Sequence, residues 1–128
     1  MMAIYAARSN AGGYVNRIGK YLKQTLDGAY KIKFSPMECE VFFRMLFEVP
    51  EDRKSFGDIR FVISIVSYQN KLRINVTEVS EREKTIGQII LKDTDLENMS
   101  DFLPIREKVI DSINKFLEKE YPGHYLVY

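Results

Sequence analysis

The amino-acid sequence predicts a single α+β domain in which a three-stranded antiparallel β-meander packs against helices. The segment from about residue 58 to residue 92 contains three runs rich in β-branched residues, separated by short polar turns. Helical periodicity appears on both sides of that segment. The 128 residues are 45% hydrophobic and 29% charged, which is typical of one globular domain. No shift in composition divides the chain, so residues 1–128 are expected to form one unit.

The N-terminal region is predicted to contain one amphipathic helix. Residues 3–7 are apolar and favour a short strand or an extended arm that ends at Gly12-Gly13. Apolar residues then recur at helical spacing from Tyr14 to Leu26, and Gly28 is the expected stop. The opposite side of this helix is basic, and a basic helix with so few acidic residues is also typical of a mitochondrial presequence. We expect a core helix with a solvated basic face, formed by Arg17, Lys20 and Lys23.

The segment from Ser35 to Pro50 is predicted to be a second helix. Ser35 can cap the first turn and Pro36 suits its first position, so the helix is expected from Pro36 to Val49. Its apolar arc is wider than one buried face requires, which indicates a helix enclosed in the domain or shared with another chain. The aromatic and β-branched residues of Val41–Val49 also favour a strand. The cap and a four-residue repeat of charged residues favour the helix.

Three strands are expected to follow a charged connector at residues 50–57. In the first strand large apolar residues alternate with others, which places Arg60 and Tyr68 on the outer face. The second strand alternates as clearly and places Arg73 outward. The third strand is rich in isoleucine but does not alternate cleanly, so its faces are less clear, and Lys92 alone is placed outward. The predicted strands are residues 59–68, 72–77 and 85–92.

The C-terminal part is predicted to be a loop, a long helix and a tail. Residues 93–101 form an acidic loop, and the helix runs from Phe102 to Glu120 with Pro104 in its first turn. Pro122-Gly123 ends the helix. The apolar tail, residues 124–128, is expected to dock on the body of the domain or to add an edge strand.

The net charge of +1 conceals an uneven distribution along the chain. Residues 1–33 carry six Lys or Arg and one acidic residue, whereas residues 93–128 carry four basic and eight acidic residues. The favoured interpretation is that the two ends neutralise each other in the folded state. The alternative is a basic surface for an acidic partner.

The sequence offers little reactive chemistry. His124 is the single histidine and Cys39 the single cysteine, which excludes a multi-histidine metal site and a Cys-x-x-Cys pair. No glycine-rich phosphate loop is present. No catalytic, metal or cofactor site is therefore predicted, and a non-enzymatic role is favoured. One cysteine gives no internal disulfide, so an intracellular location is the default, with mitochondrial and nuclear locations left open.

The first functional hypothesis is an interaction module or a small subunit of a macromolecular assembly. The chain has eight Phe and eight Tyr, and aromatic side chains often anchor protein interfaces. Its partner would be another protein or a second copy of the chain, bound through the aromatic-rich helix and the tail. The candidate interface residues are Phe42, Phe43, Leu46, Phe47, Tyr125 and Tyr128.

The second hypothesis is RNA binding. If residues 36–49 are treated as an insertion, the order helix, three antiparallel strands, helix resembles that of small RNA-binding domains of the double-stranded-RNA type and the signal-recognition Alu-binding type. The resemblance concerns the order of elements alone. It implies contacts from the basic helix and from the exposed sheet face. The candidate contacts are Arg17, Lys20, Lys23, Arg60, Tyr68 and Arg73.

Overall fold

The α+β class is confirmed in a computed structural model, which describes residues 2–49, 52–80 and 83–123, with side chains for 13–45, 58–80 and 83–123. Helices and one antiparallel sheet make up the described chain. The elements in order are α1 (Met2–Thr25), β1 (Ala29–Ser35), β2 (Glu38–Val49), β3 (Asp52–Tyr68), β4 (Lys71–Glu78), β5 (Lys84–Lys92), α2 (Asp93–Glu97) and α3 (Leu103–Glu120).

The sheet has five antiparallel strands where three were expected. Their order in the sheet is β1-β2-β3-β4-β5, so every neighbour in space is also a neighbour along the chain. The three predicted strands correspond to β3, β4 and β5. The two further strands, β1 and β2, precede them and extend the meander on its N-terminal side.

The second predicted helix is wrong, because residues 38–49 form strand β2. Ser35 pairs with Glu38 across a two-residue turn made by Pro36 and Met37, and Met37 has a φ of 65°. Proline followed by a residue of positive φ is the arrangement of a type II turn. The residues that resemble a helix cap therefore close a hairpin. Side chains of β2 alternate, and those on the covered side are Cys39, Val41 and Phe43.

Two shorter segments also differ from expectation. Residues 3–7 belong to α1, which continues through Gly12-Gly13 to Thr25, because glycine in a helix costs about 1 kcal/mol but does not forbid it. Residues 52–57, expected in a connector, are the start of β3 and pair with the end of β2. Their inclusion makes the β2–β3 hairpin the longest pairing in the sheet.

The C-terminal helix is close to its predicted bounds, and the acidic segment before it is partly helical. Residues 93–97 form the single-turn helix α2, whose Asp95 carboxylate accepts a hydrogen bond from the Lys92 amide at 2.9 Å. Leu96 of this turn is buried in the core. The tail, residues 124–128, lies outside the described residues. Its docking on the domain or addition of an edge strand therefore stays a prediction.

Helices α1 and α3 both pack on one face of the sheet and bury a continuous apolar core. Two glycines mark where helix and sheet approach most closely. A Cβ at Gly19 of α1 would collide with the Cys39 sulfur, and one at Gly87 of β5 would collide with Ser112 of α3. The largest fully buried side chains include Phe43, Phe61, Ile18, Leu22, Ile63, Ile74 and Ile110. No described element covers the other face of the sheet, which we call the open face.

Candidate binding surface on the open face

The candidate interface residues separate between the two faces of the sheet. Phe43 is 1% exposed and its ring lies 5.8 Å from that of Phe61, so it belongs to the core and is not accessible to a partner. Phe42, its neighbour, lies half-buried on the open face. The backbones of Leu46 and Phe47 pair in β2, but their side chains are outside the described part. The two tail residues, Tyr125 and Tyr128, are also outside it.

The six candidate nucleic-acid contacts lie on opposite sides of the molecule. Arg17, Lys20 and Lys23 belong to α1, whose other side packs on the covered face. Arg60, Tyr68 and Arg73 lie on the open face. The fold therefore does not bring the two groups into one surface.

The helix cations already have aromatic neighbours. The Arg17 guanidinium lies 5.1 Å from the centroid of the Tyr14 ring and 5.5 Å from that of Phe102. The Lys20 ammonium lies 5.9 Å from the centroid of Phe34. Such contacts add modestly to the packing of the helix surface.

Basic residues predominate on the open face. Strand alternation and register bring seven basic and three acidic side chains to its described part, an excess of four positive charges. All the basic side chains are exposed, whereas the acidic ones are partly buried. The basic residues are Lys31, Lys33, Arg44, Arg60, Lys71, Arg73 and Lys92, and the acidic residues are Glu38, Glu40 and Asp58.

Two pairs of like charges stand directly opposite each other on neighbouring strands. Arg44 of β2 faces Arg60 of β3, and Lys71 of β4 faces Lys92 of β5. Arg60 Nε lies 3.2 Å from Asp58 Oδ2, the one ion pair among the described side chains. Like charges in directly opposed positions destabilise a sheet. An anion placed between either pair would relieve that repulsion.

Aromatic residues accompany the basic residues at both ends of the open face. Tyr30 is 54% exposed, and its ring lies 6.4 Å from that of Phe42. The Arg44 guanidinium is 5.8 Å from the Tyr30 centroid, and the Lys31 ammonium is 5.4 Å from that of Phe42. We call this cluster the Tyr30 end, and it consists of Tyr30, Lys31, Phe42, Arg44 and Arg60.

The opposite end of the face is organised around Tyr68, which is 60% exposed. Tyr68 pairs with Lys71 across a two-residue turn whose residues, Gln69 and Asn70, have φ values of 50° and 60°. Two positive φ values are the arrangement of a type I′ hairpin turn, which fixes the register of β3 and β4. We call this cluster the Tyr68 end, and it consists of Tyr68, Lys71, Arg73 and Lys92.

Uncharged polar side chains lie between the two ends. Ser64, Asn75 and Gln88 face one another across β3, β4 and β5. Gln88 Nε2 donates to Asn75 Oδ1 at 3.0 Å, and Ser64 Oγ donates to Glu38 Oε1 at 3.2 Å. These side chains supply hydrogen-bond donors and acceptors to anything that lies across the sheet.

Other parts of the described structure offer less chemistry. No group of three or more potential metal ligands occurs among the described residues. Burial raises the pKa of the Cys39 thiol to about 11, and the Glu40 carboxylate acts in the same direction, so this thiol is not a poised nucleophile. No described helix is long and apolar enough to cross a membrane.

A shallow groove of about 360 Å³ lies between β5 and α3. Its charged residues are Lys108, Asp111 and Lys115, which are spaced three and four apart on α3. Mixed charges at that spacing are usual on a solvated helix surface.

Comparison with known proteins returns no match to any family model, curated protein or solved structure. The fold and the open face are therefore the basis of any functional inference.

Sequence reasoning located open-face residues of β3 and β4 and Lys92 of β5, and missed those of β1 and β2. Arg60, Tyr68 and Arg73 follow from alternation within single strands. Lys31 and Lys33 alternate with Ile32 and Phe34 in the same way, but β1 is not among the predicted strands. Tyr30 joins them through the register shift between Ala29 and Lys31. Arg44 was placed on a helix stripe. The alternation of lysine with apolar residues over residues 31–34 is the signal that would have found Lys31 and Lys33, whereas β2 has no such signal in hydropathy because Phe42 is apolar.

Proposed function

We propose that this protein is a non-enzymatic binding module that holds a nucleic acid on the open face of its sheet. The observation that carries the proposal is the presence of two like-charged cross-strand pairs, Arg44 with Arg60 and Lys71 with Lys92, on a face that no described element covers. Phosphate groups are the natural counter-charges for such pairs. Exposed tyrosines beside both pairs add surfaces for base stacking.

The fold favours this proposal over the protein-partner hypothesis. That hypothesis relied on an aromatic helix at residues 36–49. These residues instead form the turn between β1 and β2 and strand β2 itself, in which Phe43 is buried. Phe42, its neighbour, is partly buried and has basic neighbours on the open face. An acidic protein could also be attracted to such a face, and the experiment below separates the two partners.

The test is a binding titration with fluorescently labelled RNA and DNA oligonucleotides. We expect binding that weakens as salt rises from about 50 mM to about 200 mM. Each neutralised phosphate contributes about −0.9, for a duplex, or about −0.7, for a single strand, to the slope of the logarithm of the binding constant against the logarithm of salt concentration. A double variant, Arg44→Glu with Arg60→Glu, is expected to bind at least about tenfold more weakly.

The matched control is Arg17→Glu with Lys20→Glu, which makes the same charge change on α1. We expect its affinity to stay closer to that of the unmodified protein than the affinity of the open-face variant does. Equal losses in the two variants would show that net charge, and not the open face, governs binding. Polyglutamate serves as a model of an acidic protein in the same titration. Binding of polyglutamate without binding of any oligonucleotide would overturn the proposal in favour of an acidic protein partner.

A further inference from the structure

We infer that the nucleic acid is single-stranded and lies across the open face from the Tyr30 end to the Tyr68 end. This inference rests on the proposed function and specifies its ligand. The open face combines charge, aromatic rings and hydrogen-bonding groups in one continuous surface.

The separation of the two ends sets the length of the strand. Arg60 and Tyr68 are eight residues apart on β3. At about 3.3 Å per residue the two ends are about 26 Å apart. Small β-domains cover about 4–16 nucleotides of a single strand, and this span corresponds to the short end of that range. We therefore expect a footprint of about four to six nucleotides.

Exposed rings favour a single strand over a duplex. The bases of a duplex are stacked on one another, so their faces are not available to protein side chains, whereas those of a single strand are. Tyr68 has no described ring or cation on its own ring, so both its exposure and its surroundings suit stacking of a base. At the Tyr30 end Arg44 and Lys31 already lie over the rings, which places cations beside the position that a phosphate would occupy.

The middle of the face suits base edges on strands β3 to β5, whereas on β2 it carries the carboxylates of Glu38 and Glu40. Ser64, Asn75 and Gln88 carry no charge and lie between the two basic ends. The Asn75 and Gln88 amides offer both donors and acceptors, as base edges do. Their mutual hydrogen bond at 3.0 Å would be exchanged for contacts with the strand. Such contacts give modest sequence preference, while stacking and charge supply most of the affinity.

The experiment compares single strands of two to twelve nucleotides with a duplex of the same sequence. We expect affinity for single strands to rise with length up to about six nucleotides and then to rise only slowly, since the face is then filled. The duplex is expected to bind more weakly at the same salt concentration.

Variants of Tyr68 test the stacking contact directly. Tyr68→Ala is expected to weaken single-strand binding by about tenfold, because one base–aromatic stack is lost. Tyr68→Phe keeps the ring and should bind within about twofold of the unmodified protein. Neither change alters charge, so the dependence on salt is expected to remain the same.

The outcomes separate this inference from the proposed function. If duplex and single strand bind equally and Tyr68→Ala has no effect, the single-strand inference is overturned while nucleic-acid binding by the open face stands. If no oligonucleotide binds at low salt, both are overturned. A length dependence that continues well beyond about six nucleotides would show a longer path over the surface than the open face provides.

Discussion

Phe42 and Phe43 are adjacent in β2, and they show how differently the two faces of the sheet are built. Phe43 is fully buried against Phe61 beneath the helices, while Phe42 is half-buried beside Tyr30 and Lys31 on the open face. The covered face is closely packed and almost entirely apolar, with Ser67 and Glu78 as its buried polar residues. The open face contains opposed like charges and exposed rings, which a face selected for stability alone would not favour.

The magnitudes explain why one sheet can combine the two. Burying a large apolar side chain contributes about 1.5–3 kcal/mol, and the covered face buries many of them. An unfavourable cross-strand pair costs only about 0.2–1 kcal/mol. The covered face therefore stabilises the fold by a wide margin, and this margin lets the open face carry repulsive residues. Each of the following changes tests that division.

The largest expected difference is between the two phenylalanines. Phe43→Ala should lower the free energy of unfolding by about 3–5 kcal/mol, because it removes a buried ring and leaves a cavity. Phe42→Ala should lower it by less, about 1–2 kcal/mol, because that ring is only partly buried and its removal leaves no enclosed cavity. Urea denaturation of both variants measures the difference. Similar losses would mean that the open face is part of the core.

Two glycines provide the next test. Gly87→Ala should destabilise the protein by about 1–3 kcal/mol, since the new methyl group would overlap Ser112 and force α3 away from β5. Gly13→Ala has open space around it on α1 and should instead stabilise by up to about 1 kcal/mol. Thermal denaturation gives the sign of both changes. A stable Gly87→Ala variant would contradict the close packing described for the covered face.

The pH dependence of stability reports on Cys39 of the covered face. Its pKa is raised to about 11 in the folded state, so between the ordinary thiol pKa of 9.0 and about 11 the unfolded chain loses its proton first. The contribution of Cys39 is therefore fully present below pH 9.0 and declines as the pH rises towards about 11.

The measurement compares urea denaturation of the unmodified protein and Cys39→Ala across that pH range. Both proteins share all other titrating groups, so the difference between their stabilities isolates the thiol. We expect the difference to shrink as the pH rises. A difference that stays constant would show that the Cys39 thiol is not shielded from solvent.

The smallest expected effect has the opposite sign on stability and on binding. Arg44→Glu replaces a repulsive cross-strand pair with an attractive one opposite Arg60, which should raise stability by about 0.2–1 kcal/mol. The same change removes a cation from the Tyr30 end and should weaken oligonucleotide binding. Glu40→Gln is a neighbouring control that changes charge without touching the pair. Loss of stability in Arg44→Glu would contradict the repulsion inferred for that pair.

Much of the fold could be predicted because local patterns were strong. Alternation identified β3 and β4, β-branched composition identified β5, and helical spacing identified α3 and the part of α1 from Tyr14 onward. The β2 assignment failed because Phe42 on the open face is apolar, so the alternation of buried and exposed positions is not visible in hydropathy. Ser35-Pro36 suits a hairpin turn as well as a helix start, and only pairing with β3 decides between them.

The candidate surface was less predictable than the fold. Residues within one strand could be placed on a face, as Arg60 and Arg73 were. The opposition of Arg44 to Arg60, and of Lys71 to Lys92, depends on register between strands, which hydropathy alone does not encode. The exposed Tyr30 became recognisable only when β1 was seen to form the edge of the sheet.

The sequential order of the strands has a consequence for how the chain folds. Each strand pairs with the strand that precedes it in the sequence. The two strands of each pair are therefore joined by a short connection, and little loop-closure entropy is lost when they pair. Proteins dominated by such local contacts fold faster than β-sandwiches whose strands pair over long separations. We therefore expect refolding to be rapid, with successive hairpins pairing before the flanking helices pack on the sheet.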